Sequence, residues 1–291
     1  MRVCLMIEGQ EGVTWEQWRA LGCAAEGVGL EGLFRSDHYL SILRGPPAGS
    51  LDAWATLAAL AAVTERIRLG TMVSPVTFRA ASVLAKNAVT VDHVSGGRVE
   101  LRIGAGWFEA EHDIYGLAFG TARARMDELD RQLAEIHRQW ADGSDAWPKP
   151  VQRPRPPIIV GGAAKPRTVR AAVAFADEYN TTFQSVEDAR ARRRVVDEAA
   201  REAGRDPLRF SMMCGCVVGR DAGELRDRLA RWREITRQAE IYPTLFGTVD
   251  EVAERLRAYE AAGVERVMLQ HLAHEDLEMI GLLGDLATAV G

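Results

Sequence analysis

The chain has no apolar run long enough to cross a membrane, no excess of basic charge, and only four cysteines among its 291 residues. Each shortage removes a class of function. A spanning helix needs about 20 consecutive apolar residues, and the runs here break after a handful. The opening Met1-Arg2-Val3-Cys4-Leu5-Met6-Ile7 turns polar at Glu8 and is too short for a secretory signal, so a cytoplasmic protein is expected. A net charge of −5 offers no electrostatic footprint for nucleic acid or an acidic membrane surface. Lysine is scarce beside arginine. The longest basic stretch, Arg190 to Arg194, is broken by Ala191 and reads as a solvated helix face. Among Cys4, Cys23, Cys214 and Cys216, the last two are one residue apart, which in a strand points both thiols to one face. No second ligand pair accompanies them, so structural, reduced cysteines are expected and no metal.

With 47% hydrophobic and 26% charged residues, there is material for a sizeable core. Short apolar runs alternate with longer amphipathic stretches. Strands are expected at 3–7, 30–34, 67–73, 99–103, 157–160, 179–183, 209–218 and 266–270. Helices are expected at 15–27, 52–64, 80–94, 122–140, 166–176, 186–203, 222–236, 249–262 and 277–290. The strands lack period-two alternation, which indicates burial on both faces, as in a parallel sheet covered by helices. Eight strand–helix units point to an α/β fold, a (β/α)8 TIM barrel spanning 1–291 as one domain. The competing doubly wound sheet lacks its glycine-rich first turn, since Glu8-Gly9-Gln10-Glu11-Gly12 is acidic and repels a pyrophosphate. The segment 141–157, with Gly143, Pro148, Pro150, Pro154, Pro156 and Pro157, is a surface connector between the halves.

In such a barrel ligands meet the carboxyl ends of the strands. After the second strand stands Ser36-Asp37-His38, where a histidine can titrate near neutral pH and an aspartate can orient it. A strand leaving the core through a polar turn explains the same residues. After the fourth strand, Gly104-Ala105-Gly106-Trp107 lets a planar ring approach the backbone with Trp107 as a wall, or is a tight turn around a core tryptophan. Glu111 and Tyr115 follow at helical spacing and face one pocket or cap a surface helix. After the fifth strand, Gly161-Gly162-Ala163-Ala164-Lys165-Pro166-Arg167 opens a helix whose free amides, with Lys165 and Arg167, suit a phosphate. Steric need alone also produces such glycines. His93, His137, His271 and His274 have no partner spacing and read as structural.

Taken in this order the segments resemble the luciferase-like family, in particular its branch dependent on the deazaflavin coenzyme F420. The match is carried by 34–40, 66–71, 95–101, 104–112 with Tyr115-Gly116, and 149–162, and extends through Gly247-Thr248 and 262–264. The resemblance implies the same barrel and a hydride-transfer enzyme, with the F420 ring across the mouth, a small-molecule substrate and a homodimer. It implies a non-prolyl cis peptide at Met72–Val73 behind the ring, beside Thr71. Asp37 and His38 are then the catalytic residues, at the ring's polar edge or on the substrate, with His38 as acid or base. Gly104, Ala105, Gly106 and Trp107 line the ring and ribityl chain with Glu111 and Tyr115 nearby, and Gly161, Gly162 and Ala163 hold the phosphate. Two departures stand out. Trp107 occupies the position of the acidic proton donor of the family's sugar-phosphate dehydrogenases, so that activity is not expected, and the connector before Lys149 is short. The same barrel also supports an FMN-dependent monooxygenase using reduced flavin and oxygen, or a non-catalytic cofactor-binding protein. For a dimer, the stripe Trp54, Leu57, Leu60 and Ala61 offers an interface, though core packing explains it equally well.

Overall fold

A computed structural model describes residues 1–237 and 241–291. Its centre is a closed ring of eight parallel strands, as the alternation of elements implies. In ring order these are β1 (Arg2–Ile7), β2 (Gly32–Arg35), β3 (Arg68–Thr71), β5 (Val99–Gly104), β6 (Ile158–Gly161), β7 (Glu178–Thr182), β8 (Arg209–Val218) and β10 (Arg266–Gln270). Two short strands ride above the ring: β4 (Ser74–Pro75) pairs with the end of β5, and β9 (Leu245–Gly247) pairs with the end of β8. Closure joins the two ends of the chain, since β10 pairs with β1 at Val3↔Val267 and with β8 at Met268↔Met213.

The helices α1 (Trp15–Gly27), α2 (Ala53–Val63), α3 (Ala81–Ser95), α4 (Glu109–Tyr115), α5 (Ala122–Trp140), α6 (Pro166–Phe175), α7 (Val186–Glu202), α8 (Ala222–Ile235), α9 (Val249–Ala261) and α10 (Leu277–Val290) follow the strands. Polar residues before the apolar stretches set several starts. Thr14 and Thr248 form capping boxes with Gln17 and Glu251, and Asp52 and Ser185 accept from the first-turn amides. Among the described residues no helix is long and apolar enough to cross a membrane.

Alternate side chains of each strand serve different layers. Leu5, Leu33, Leu69, Leu101 and Leu269 face the helices, whereas Cys4, Met6, Phe34, Ile159, Met213 and Met268 fill the barrel. At the lower end of the barrel, Arg266 holds Glu100 at 2.8 Å, Glu31 at 2.9 Å and Glu178 at 3.1 Å. Burial alone would raise the Glu100 carboxyl, but Arg266 and Arg68 outweigh it and hold it down to about 2. The candidate interface stripe on α2 is spent internally: Trp54, Leu57, Leu60 and Ala61 are buried within the chain.

Several details differ from the expectation. The third strand stops at Thr71 because the chain turns at Met72–Val73, a cis peptide, and re-enters the sheet as β4. The 3-10 turn Gly9–Glu11, α4 and β9 are too short to impose a period on the sequence. Cys23 is exposed while the other three cysteines are buried, with burial pushing the Cys4 and Cys214 thiols up to about 12.

Candidate active site

The carboxyl ends of the strands surround a cavity of about 380 Å3. Glu8 and Gln10 reach it from the turn after β1, and His38 from the segment after β2. Met72 and Val73 line it from the turn after β3, buried Arg102 from β5, and largely exposed Trp107 from the segment after β5. Thr182, Phe183 and Met213 enter from β7 and β8, and Gln270 and Leu272 from the end of β10.

His38 is placed by two anchored neighbours. The buried guanidinium of Arg35 lies over Trp18 and donates to Ser36 O, Ser50 Oγ and Leu51 O, which fixes the end of β2. Ser36 Oγ accepts from the Gly9 amide at 2.9 Å and donates to Gln10, tying the first two loops together. His38 Nδ1 then meets Glu111 Oε1 at 2.8 Å, and the second oxygen of Glu111 accepts from the Tyr39 amide at 3.0 Å. A carboxylate at Nδ1 puts the neutral ring's proton on that nitrogen and leaves Nε2 as the acceptor. Burial alone would lower the His38 pKa. The hydrogen bond and charge of Glu111, with Glu8 and Asp37 beyond, outweigh it and raise the pKa above the ordinary histidine value. The ring also meets Trp107 and Phe108 edge-on, with centroids at 5.7 and 6.0 Å.

Of the residues singled out in the sequence, His38, Met72, Val73 and Trp107 line the cavity together. Asp37 does not. Its Oδ2 accepts from Ser74 Oγ at 2.9 Å and Arg79 at 2.6 Å, so it braces β4, and burial raises its pKa against the pull of Arg79. Thr71 Oγ1 donates to Arg102 O at 2.9 Å and also lies outside the cavity. Gly104, Ala105 and Gly106 are not among the lining residues. A Cβ on Gly104 would come within 3.0 Å of Val73, and Gly106 takes φ 77°. Glu111 acts through His38, and half-exposed Tyr115 reaches Tyr39 O at 3.3 Å from the same face of α4.

Gly161, Gly162 and Ala163 form a separate turn above β6. Gly162 sits at φ 145° and Ala164 at φ 53°, and the Lys165 side chain leaves the start of α6 uncapped. Arg167 does not face this turn, because Asp127 and Asp130 each hold it at 2.6 Å. Arg192 stands there instead, donating to Thr181 Oγ1 at 2.8 Å and Gly162 O at 3.3 Å. The basic stretch on α7 is therefore not wholly a solvated face.

The family model described as luciferase-like monooxygenase matches residues 3–244. The chain belongs to this family. An uncharacterised protein of Mycobacterium tuberculosis is 34% identical over 220 residues, covering 72% of this chain and 74% of that one. The luciferase-like relatives divide by cofactor. An F420-dependent glucose-6-phosphate dehydrogenase of Microbacterium testaceum is 33% identical over 177 residues, 55% of this chain and 51% of that one. An FMNH2-dependent dimethylsulfone monooxygenase of Pseudomonas putida is 26% identical over 274 residues, 77% and 74%. The solved structure of an F420-dependent secondary alcohol dehydrogenase with an F420-acetone adduct gives a TM-score of 0.82. It covers 100% of this chain and 99% of that one, and at 17% identity the likeness concerns the fold.

This luciferase-like barrel also brings Glu8, Gln10, Arg102 and Gln270 to its mouth, none of which belongs to a motif. Arg102 shares its strand with a second charge, Glu100, so its charge alone did not single it out. The others depend on contacts between distant segments, such as Gln270 Nε2 to Glu8 Oε1 at 2.5 Å.

Proposed function

We propose that this luciferase-like chain is an oxidoreductase that transfers a hydride between coenzyme F420 and a small organic substrate. The observation that carries the reading is His38, held at Nδ1 by Glu111 with its ring on the wall of a cavity shared by Met72, Val73 and Trp107. The residues fit a planar ring with a phosphorylated tail. Met72, Val73 and Trp107 offer apolar lining, and the buried Nε of Arg102, in the same cavity, is left without a partner. The uncapped start of α6, Gly162 and Arg192 offer donors to a phosphate. F420, when bound, supplies a ring carbon that accepts or donates hydride.

The chain's own part is to position, to shield and to move one proton. Glu111 favours the imidazolium form of His38, which makes Nε2 a proton donor to a substrate oxygen or nitrogen, and its acceptor in the reverse direction. Asp37 serves by holding Arg79 and Ser74 in place behind the Met72–Val73 wall. The Trp107 indole is no acid at neutral pH, so the position that carries the proton donor of the family's sugar-phosphate dehydrogenases supplies none here, which disfavours sugar-phosphate oxidation.

An FMN-dependent monooxygenase is the second reading, favoured by the dimethylsulfone monooxygenase relative and its long match. Parallel anaerobic titrations of the apoprotein with oxidised F420 and with FMN separate the two. F420 is expected to bind in the micromolar range with FMN at least about tenfold weaker. The reverse order replaces the first reading by the second, and no binding of either coenzyme sinks both.

A further inference from the structure

Arg102 differs from every other deeply buried arginine of the barrel. Arg266 has Glu100 and Glu178, Arg79 has Asp37 and Asp52, and Arg98 donates to Ser95 O, Thr64 O, Ala61 O and Ile67 O. Arg35 has its own hydroxyl and carbonyl partners. Arg102 is 6% exposed and lines the mouth cavity, yet its one side-chain hydrogen bond among the described residues runs from Nη1 to the sulfur of Met72. A thioether is a weak acceptor, and Nε has none. Taking a guanidinium out of water is costly unless a carboxylate or several good acceptors replace the water.

The carboxylates nearby do not bond to it. Glu178 feels the charge of Arg102, but its Oε2 pairs with Arg266 and Arg209 and its Oε1 makes no hydrogen bond. Glu8 shares the cavity, with its oxygens taken by Gln10 and Gln270. Burial pulls the Arg102 pKa down to about 10, which leaves it charged at neutral pH. The remainder of the cavity wall is largely apolar, with Ile42, Leu43, Val73, Met213 and Leu272.

We propose that Arg102 is an anion-binding residue of the mouth cavity and that the substrate is a small acid whose carboxylate it receives, with an apolar body against Ile42, Leu43 and Leu272. The planar fork of a guanidinium matches a carboxylate, and the charge-assisted pair restores what burial removed. The substrate class rests on the oxidoreductase reading above, whereas the anion site itself is measured without coenzyme. Negative charge on the bound coenzyme ring would present the same chemistry, so the test separates the two sources.

Calorimetry in a buffer free of carboxylate and phosphate compares benzoate with benzamide and hexanoate with hexanamide, on the apoprotein and on protein saturated with F420. Each acid is expected to bind at least about tenfold more tightly than its amide in both states. The preference is expected to vanish in Arg102→Met and to persist, weakened, in Arg102→Lys. Arg102→Met is also expected to melt no lower than the parent, because the buried guanidinium has no hydrogen-bonded carboxylate to lose. Equal binding of acid and amide to the parent overturns the proposal, as does a preference that survives in Arg102→Met. A preference lost on loading with F420 assigns Arg102 to the coenzyme and overturns the substrate class. An intact preference in protein that binds no F420 removes the cofactor reading and leaves the anion site standing.

Discussion

His38 owes its protonation state to Glu111, and that dependence is testable by itself. Replacing Glu111 with Gln removes the charge that opposes desolvation, so the His38 midpoint followed by NMR is expected to fall, and the acid-dependent limb of turnover with it. The sign extends to stability. A histidine with a raised folded pKa stabilises fully below its unfolded value and loses that contribution as pH rises through the folded one. Glu111→Gln should therefore cost most stability on the acid side, measured by urea unfolding at several pH values. An unchanged midpoint would mean that Glu111 only packs against the ring. His38 was legible in the sequence because it ends an apolar run, Trp107 because it follows a glycine-rich turn, and Met72 and Val73 only through the family resemblance. Arg102 and Glu8 were not, because what makes each unusual is the set of partners it meets across the barrel.

At the scale of elements, the turn after β1 and the loop 41–45 form one device. The Glu8–Gly12 segment was read as an acidic turn with no task beyond excluding a pyrophosphate. In the fold, buried Glu11 accepts from Ser41 Oγ at 2.7 Å and from the amides of Ile42, Leu43 and Arg44 at 2.9, 3.1 and 3.0 Å. Ile42 and Leu43 thereby become part of the cavity wall. Glu11→Gln keeps the shape but loses the charge-assisted bonds, and is expected to cost about 2–3 kcal/mol in urea unfolding. It should raise KM more than it lowers kcat, since the loop shapes the cavity and makes no hydrogen bond to His38. A stability within experimental error of the parent would contradict this. The pairing was invisible in sequence because donor loop and acceptor lie about 30 residues apart without a shared period.

Across the whole molecule, the closed ring was readable from the count and burial of its strands, whereas the ion cluster at its lower end required the closure itself. Two histidines after β10 make stability depend on pH. Burial lowers His271 to about 4 and His274 to about 3, so both stay neutral in the folded chain. The unfolded chain takes up these protons near 6.5, and stability is expected to fall by a few kcal/mol between there and pH 4. The paired change His271→Gln with His274→Gln should flatten that slope, and a slope left intact would contradict the assignment. Glu100, held down to about 2 by Arg266 and Arg68, gives up its contribution mainly below 4.5, so it meets this window only at its acid edge. We also propose that the chain pairs as a homodimer. Light scattering checks this, and the α2 stripe is not the surface to mutate, since it is buried within each chain.

The central claim is that the mouth cavity holds the deazaflavin against His38. A crystal structure of the chain soaked with oxidised F420 tests it most directly. The account predicts density for the ring between Met72–Val73 and Trp107, with a polar edge or bound substrate within reach of His38 Nε2 and the phosphate at Gly162 and Arg192. A ring bound elsewhere, or a cavity that takes FMN and stays empty in F420, would contradict it.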